Sequence, residues 1–248
     1  MEKPSEFFYK TIDKEGFETL DVISEADNFN DWMYNTIKPY CKGKILEIGS
    51  GLGNISSYFI KDNFNIFLTD IRDNYCDELK RKFSTNKNVI GIENIDLVDP
   101  DFDTKYAQHL NSFDTVFALN VIEHIEDDTL AIKNCKKLLS KGGRLIILVP
   151  AYQKLYNTFD KELYHYRRYT SKQMENIFSK NEITIKKSFY FNFLGIFGWY
   201  ISGKMMHKKI IPKSQMNFYN KIVFIAKILD IISLKKIGLS SIVIGEKK

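Results

Sequence analysis

The sequence predicts an α/β protein on a doubly wound, mostly parallel seven-stranded sheet, and three observations predict it. Short apolar runs bounded by Gly, Asp or Asn alternate with helical patterns along most of the chain. The first of these runs enters a glycine-rich turn and then a helix. The 248 residues suffice for one such domain with an elaboration. Strands and helices in alternation imply parallel strands covered on both faces.

Residues 1–40 read as an N-terminal helical arm. The sheet domain takes residues 41–191 and 239–248. Its strands are expected at 44–48, 65–69, 88–93, 113–119 and 144–149, with further strands at 182–191 and 240–246, the last closing the sheet. Helices are expected at 54–62, 74–84, 128–140 and 171–180. The third has Asp127 or Asp128 as N-cap and Gly142-Gly143 as its stop. Residues 192–238 are too long for a simple loop and read as an insertion of two or three helices before the last strand, forming a cap.

Composition is that of an ordinary globular protein: 44% hydrophobic and 27% charged, with aromatic residues on the rich side at 14%. The formal charge of +5 permits an anionic partner without demanding one. Cys41, Cys76 and Cys135 are odd in number and widely spaced, which suggests neither a disulfide framework nor a metal site and fits a reducing cytoplasm. The first residues, MEKPSEFFYKTIDKEG, lack the apolar stretch of a signal peptide. The longest uncharged run, 188–203, falls short of the ~20 residues a spanning helix needs.

The run KILEIGSGLGN (44–54) is a buried strand, a turn with glycines at 49, 51 and 53, and a helix start. Such glycines let the backbone turn tightly and approach a ligand, and the helix start offers free N–H groups. The dinucleotide fingerprint G-x-G-x-x-G would need Gly at 54, where this chain has Asn54. The pattern E-x-G-x-G-x-G instead resembles the first motif of the class I S-adenosylmethionine-dependent methyltransferases. Four further segments agree in order: IFLTD ending at Asp70, NIDL around Asp96, FDTVFALNVIEHIE (113–126) and GGRLIILVP (142–150). The resemblance covers roughly residues 25–190 and implies a Rossmann-like fold that binds S-adenosylmethionine and its product S-adenosylhomocysteine. It implies Glu47 near the cofactor's amino group, backbone donors from Gly49, Ser50, Gly51 and Gly53, and Asp70 on the ribose. Ile71 would cover the adenine, Asp96 and the Leu97 N–H would read its edge, and Asn120 and His124 would finish the methionine end. Without the resemblance, Asp96 serves equally as a helix cap, Ile71 as core and His124 as a structural residue at a helix start.

The segment YNTFDKELYHYRRYT (156–170) follows the fifth strand, and loops at carboxyl strand ends face the ligand crevice in such folds. A hydroxyl acceptor needs a base. His165 is the best candidate, because a histidine titrates near neutrality, with Asp160 a weaker one. Arg167 and Arg168 could hold a carboxylate or phosphate, and Tyr152, Tyr156 and Tyr166 could line a sugar or aromatic ring. The competing reading is a structural loop in which Asp160 or Glu162 pairs with an arginine and the tyrosines form a lid. P-A-x-x-x-L-Y-x-x-x-D, H-x-R-R-Y and FNDWMYNTIKPY (29–40) resemble a subgroup of the same superfamily found beside glycosyltransferases in cell-envelope and natural-product pathways. The resemblance thus implies O-methylation of a small molecule, sugar or lipid-linked glycan. N-methylation of an amine, or a non-catalytic cofactor-binding regulator, are the alternatives.

Residues 189–236 are apolar and ringed by Lys204, Lys208, Lys209, Lys213, Lys221, Lys235 and Lys236. An apolar face with a basic rim suits a membrane surface or a lipid-linked acceptor, giving a cytoplasmic protein peripheral to the inner membrane face. Packing on the sheet, or a homodimer rather than a monomer, would use the same residues. Nucleic acid is a weaker expectation, since the basic residues are not interleaved with aromatics along a known binding module.

Overall fold

The structure, a computed structural model, describes residues 14–206, 208 and 210–248. Residues 1–13 of the expected arm, and Lys209 of the expected basic rim, lie outside the described residues. The arm contributes α1 (Lys14–Ser24) and α2 (Asp27–Ile37). The sheet begins with β1 (Ile45–Ile48), α3 (Ser56–Lys61), β2 (Ile66–Asp70), α4 (Asp73–Phe83), β3 (Val89–Asn94), α5 (Phe102–Lys105), β4 (Phe113–Leu119), α6 (Asp128–Leu138) and β5 (Leu139–Pro150). Then come α7 (Thr158–Glu162), α8 (Ser171–Lys180), β6 (Ile183–Phe191), α9 (Gly195–Trp199), α10 (Lys213–Lys221), α11 (Val223–Ile232) and β7 (Ser240–Lys247).

The strand order is β3-β2-β1-β4-β5-β7-β6. The first five strands are parallel, while β7 runs antiparallel to both β5 and β6. This is the seven-stranded, mostly parallel sheet the sequence predicts. β1 and β2 are buried throughout, and alternation along β5 sends Leu145, Ile147 and Val149 to one core and Ile146 and Leu148 to the other. Chain order reverses between β1 and β4, so a crevice opens at their carboxyl ends.

Two boundaries differ from expectation for local reasons. The helix after the glycine turn starts at Ser56, because residues 51–55 continue as turns. The strand expected at 144–149 starts at Leu139, directly after α6, which Asp127 caps by accepting the Leu130 N–H at 2.9 Å. Leu139 pairs with Phe113 and Arg144 with Thr115, so the intervening residues bulge, with Gly142 at φ +74°.

The insertion holds α9, which runs into a π-helical turn (Tyr200–Met205), then α10 and α11. Asn220 ties it to the arm: its Oδ1 accepts the Phe29 N–H at 3.0 Å and its carbonyl the Asn28 amide at 3.1 Å. Asp230, buried, accepts the N–H groups of Asn192 and Phe193 at 2.8 and 2.7 Å, fixing the insertion's start to its last helix. Among the described residues no helix is long and apolar enough to cross a membrane.

Candidate active site

A cavity of about 770 Å³ opens at the β1/β4 reversal. Ligand pockets commonly span about 300–1,000 Å³, so it has room for a nucleoside and a second small molecule. Its floor is the carboxyl edge of the sheet. α1 covers one end through Thr19 and Leu20, and the insertion covers the other through Trp199, Gln215 and Tyr219.

At the first end the glycine turn is dictated by packing as well as by ligand approach. Gly49 has φ +71°, and a Cβ there would lie 2.4 Å from Val121 Cγ2. Only glycine satisfies both constraints. Glu47, near the end of β1, is buried, accepts a hydrogen bond from Ser56 Oγ, and has its carbonyl bound by Thr69 Oγ1 at 2.8 Å. Burial pushes its carboxyl up to about 8, outweighing the Ser56 and Ser50 hydrogen bonds, while the Asp70 charge adds to the rise. Asp70, which closes β2, accepts the Gly51 and Arg72 N–H groups, both at 3.0 Å. Burial still raises it, but those donors oppose the rise. Asp96 is steadied by the Val98 N–H on its carboxylate and the Tyr106 hydroxyl on its own N–H. Asn120, left-handed at φ +54°, donates its N–H to the Leu148 carbonyl at 2.9 Å.

At the other end Asp160 is the hub. Fully buried, it accepts His165 Nδ1 and Arg168 Nε through Oδ1, each at 2.8 Å, and the Asn157 N–H through Oδ2. Burial alone would raise Asp160, but His165 and Arg168 outweigh it and hold the carboxyl below its ordinary range. His165 Nδ1 is therefore the donor, which leaves Nε2 with its lone pair. Burial lowers the His165 pKa, partly offset by Asp160, so the ring is neutral near pH 7. Arg168 also donates to the Ala151 carbonyl at 3.1 Å and stacks over Trp199 at 4.6 Å. His124 meets His165 edge to face, ring centroids 4.6 Å apart, and burial drives its pKa to about 3.

Glu47, Gly49, Ser50, Gly51, Asp70, Ile71, Asp96, Leu97, Asn120 and His124 all line this cavity, as do Tyr156, His165, Tyr166 and Arg168. Three expected residues do not. Gly53 faces away, its Cβ position filled by Phe83 at 2.4 Å. Arg167 turns outward to Asp128 and the Glu126 carbonyl, both at 2.8 Å. Tyr152 stacks on Tyr190, centroids 5.0 Å apart. The ion-pair reading of the loop thus describes Arg168, which pairs with Asp160, whereas Arg167 pairs with Asp128 outside the loop and His165 remains on the cavity wall. Sequence reasoning missed Arg72, Glu123 and the roof residues Asn192, Trp199 and Tyr219, whose positions depend on how distant segments fold over the sheet.

Residues 46–145 match a family described as a methyltransferase domain. Among curated proteins, the chain is 27% identical over 111 residues to a hybrid PKS-NRPS synthetase of Talaromyces variabilis, covering 43% of this chain and 3% of that one. It is 28% identical over 169 residues to a ubiquinone/menaquinone biosynthesis C-methyltransferase of Haemophilus ducreyi (57% of this chain, 61% of that one). It is 30% identical over 105 residues to a ubiquinone biosynthesis O-methyltransferase of Coxiella burnetii (42% of each). The chain thus spans less than two thirds of the length of each of these relatives. Among solved structures, phosphoethanolamine N-methyltransferase 2 of Haemonchus contortus aligns with TM-score 0.62 at 16% identity, over 99% of this chain and 61% of that one. The [4+2]-cyclase SpnF aligns with TM-score 0.57 at 15% identity, over 88% and 80%. Over residues 46–145 the chain is thus similar to a methyltransferase domain, and its fold is the one these solved structures share.

Proposed function

We propose that the protein transfers the methyl group of S-adenosylmethionine to a hydroxyl of a small or lipid-linked acceptor. One observation carries this reading: a single cavity joins a cradle of glycines and buried carboxylates to a neutral imidazole held by Asp160. The donor set suits the cofactor. Glu47 is a buried carboxylate without a cationic partner among its hydrogen bonds, matched to an α-ammonium, and Asp70 is positioned for a pair of ribose hydroxyls. Ile71 would lie on the adenine, with Asp96 and the Leu97 N–H on its edge and the Asn120 backbone at the methionine end. When bound there the cofactor supplies an electrophilic methyl group.

The relatives and fold neighbours include C-, O- and N-methyltransferases and a cyclase, so the choice of oxygen rests on the site. A hydroxyl must shed its proton as it attacks, and the His165 lone pair is what the acceptor end offers. Tyr156, Tyr166 and Trp199 suit a ring against which the acceptor stacks. Mass spectrometry of acceptors incubated with methyl-labelled S-adenosylmethionine tests this across phenolic acids, sugar nucleotides and polyprenyl-linked saccharides. Label on oxygen, with His165→Ala about 100- to 10,000-fold slower, is expected. Label on nitrogen or carbon, or unchanged turnover in His165→Ala, overturns it.

The lipid-linked part of the proposal is supported by α11. Phe224, Ile225, Ile228, Ile231 and Ile232 are exposed at helical spacing, while Val223, Ala226 and Asp230 face the core. Residues 192–238 hold eight lysines and one acid, the buried Asp230. Lys213 and Lys227 already pair with Glu25 and Asp31 of the arm, and the insertion's other lysines have no exposed acid of the insertion itself to meet, so an anionic membrane surface fits better than a second copy.

A further inference from the structure

We propose that Glu123, His124 and His165 form a binding site for a divalent first-row transition-metal ion on the acceptor side of the cavity. One ligand atom from each lies within 4.8 Å of the others. Glu123 is fully buried, and neither carboxylate oxygen has a hydrogen-bond partner. Burial pushes its carboxyl up to about 8, so the ion-free site holds a proton that a metal ion would displace to take up the otherwise unmet carboxylate. The nearby Arg168 guanidinium is committed to Asp160 and the Ala151 carbonyl, so it acts on Glu123 only through its field.

The histidines are prepared in the way a ligand requires. Both rings are kept neutral by burial, and a metal binds the neutral imidazole. The Asp160 carboxylate on His165 Nδ1 turns Nε2 outward and raises its basicity, the usual second partner of a ligating histidine. Two imidazoles and one carboxylate are a donor set seen in open zinc and non-haem iron sites, with positions left for exogenous ligands. His124 and His165 both line the cavity, so those positions face the acceptor. Local charge permits a dication: Asp160 offsets Arg168, Asp70 offsets Arg72, and Glu123 supplies a further negative charge once the ion displaces its proton.

The ion's binding is independent of the methyl-transfer reading, but its role rests on that reading. Bound, it would hold an acceptor oxygen at the cavity wall and lower that hydroxyl's pKa so that its proton leaves to solvent, whereas in the ion-free protein the His165 lone pair takes the proton directly.

The test is titration of the EDTA-dialysed full-length protein with Co2+, followed by visible absorption, with S-adenosylhomocysteine affinity measured in parallel. One saturable equivalent is expected, weakened about tenfold or more in Glu123→Gln while S-adenosylhomocysteine affinity is retained. Cu2+ paramagnetic resonance on the wild type alone, expected to show coupling to two imidazole nitrogens, covers the case in which the variant does not fold. No saturable band, a band unchanged in Glu123→Gln, or a copper spectrum without two nitrogens overturns the site. Cobalt binding without S-adenosylhomocysteine binding would instead remove the methyltransferase reading and leave the ion site standing.

Discussion

Glu47 and Asp70 are both buried carboxylates, yet only Asp70 is given backbone donors, and that difference sets two expectations. Replacing Asp70 with Ala should weaken S-adenosylhomocysteine binding by about 1.5–3 kcal/mol in calorimetry, the worth of hydrogen bonds to a charged group. Unchanged affinity would mean the ribose lies elsewhere. Glu47 has its carboxyl raised to about 8, so in the ligand-free protein it carries a proton near neutrality that an ammonium must displace. Affinity should therefore rise with pH, by up to about tenfold per unit between pH 6 and 8, and this slope should vanish in Glu47→Gln. At His165 the sign is opposite in consequence: the depressed pKa keeps the base neutral as pH falls. The acid limb of kcat at saturating cofactor should then lie below the ordinary histidine value of about 6.5.

The loop around α7 and helix α11 show how unevenly the sequence reveals its elements. The glycine turn, Asp70 and Asp96 were legible because their chemistry is local, each lying at or just after the end of a strand. His165 was legible as a titratable group after β5. Which of the two adjacent arginines turns inward was not, since loop closure decides it: Tyr169 bridges to Ala151, which sends Arg168 to Asp160 and Arg167 to Asp128. Asp160→Asn should cost about 3–5 kcal/mol in denaturant unfolding, because it leaves Arg168 buried without its anion. For α11, Ile228→Glu with Ile231→Glu should abolish sedimentation with phosphatidylglycerol vesicles and leave unfolding nearly unchanged, as both side chains are exposed. Equal binding to neutral phosphatidylcholine vesicles, or loss of a dimer in light scattering, would assign that face to something other than an anionic membrane surface.

At the scale of the molecule, arm, sheet and insertion enclose one cavity from three sides, and the sequence predicted the sheet more fully than the enclosure. Strand periodicity and the glycine turn are properties of short segments. The roof is assembled from segments that meet only in the fold, as Asn220 on α10 meets Phe29 on α2. Glu123 and His165 are likewise far apart in the chain and within ligand distance in the structure. The central claim is that this cavity takes S-adenosylmethionine, and isothermal calorimetry tests it most directly. S-adenosylmethionine and S-adenosylhomocysteine should each bind with clear heat while NAD gives none; clear NAD binding with no heat from either sulfur compound would contradict it.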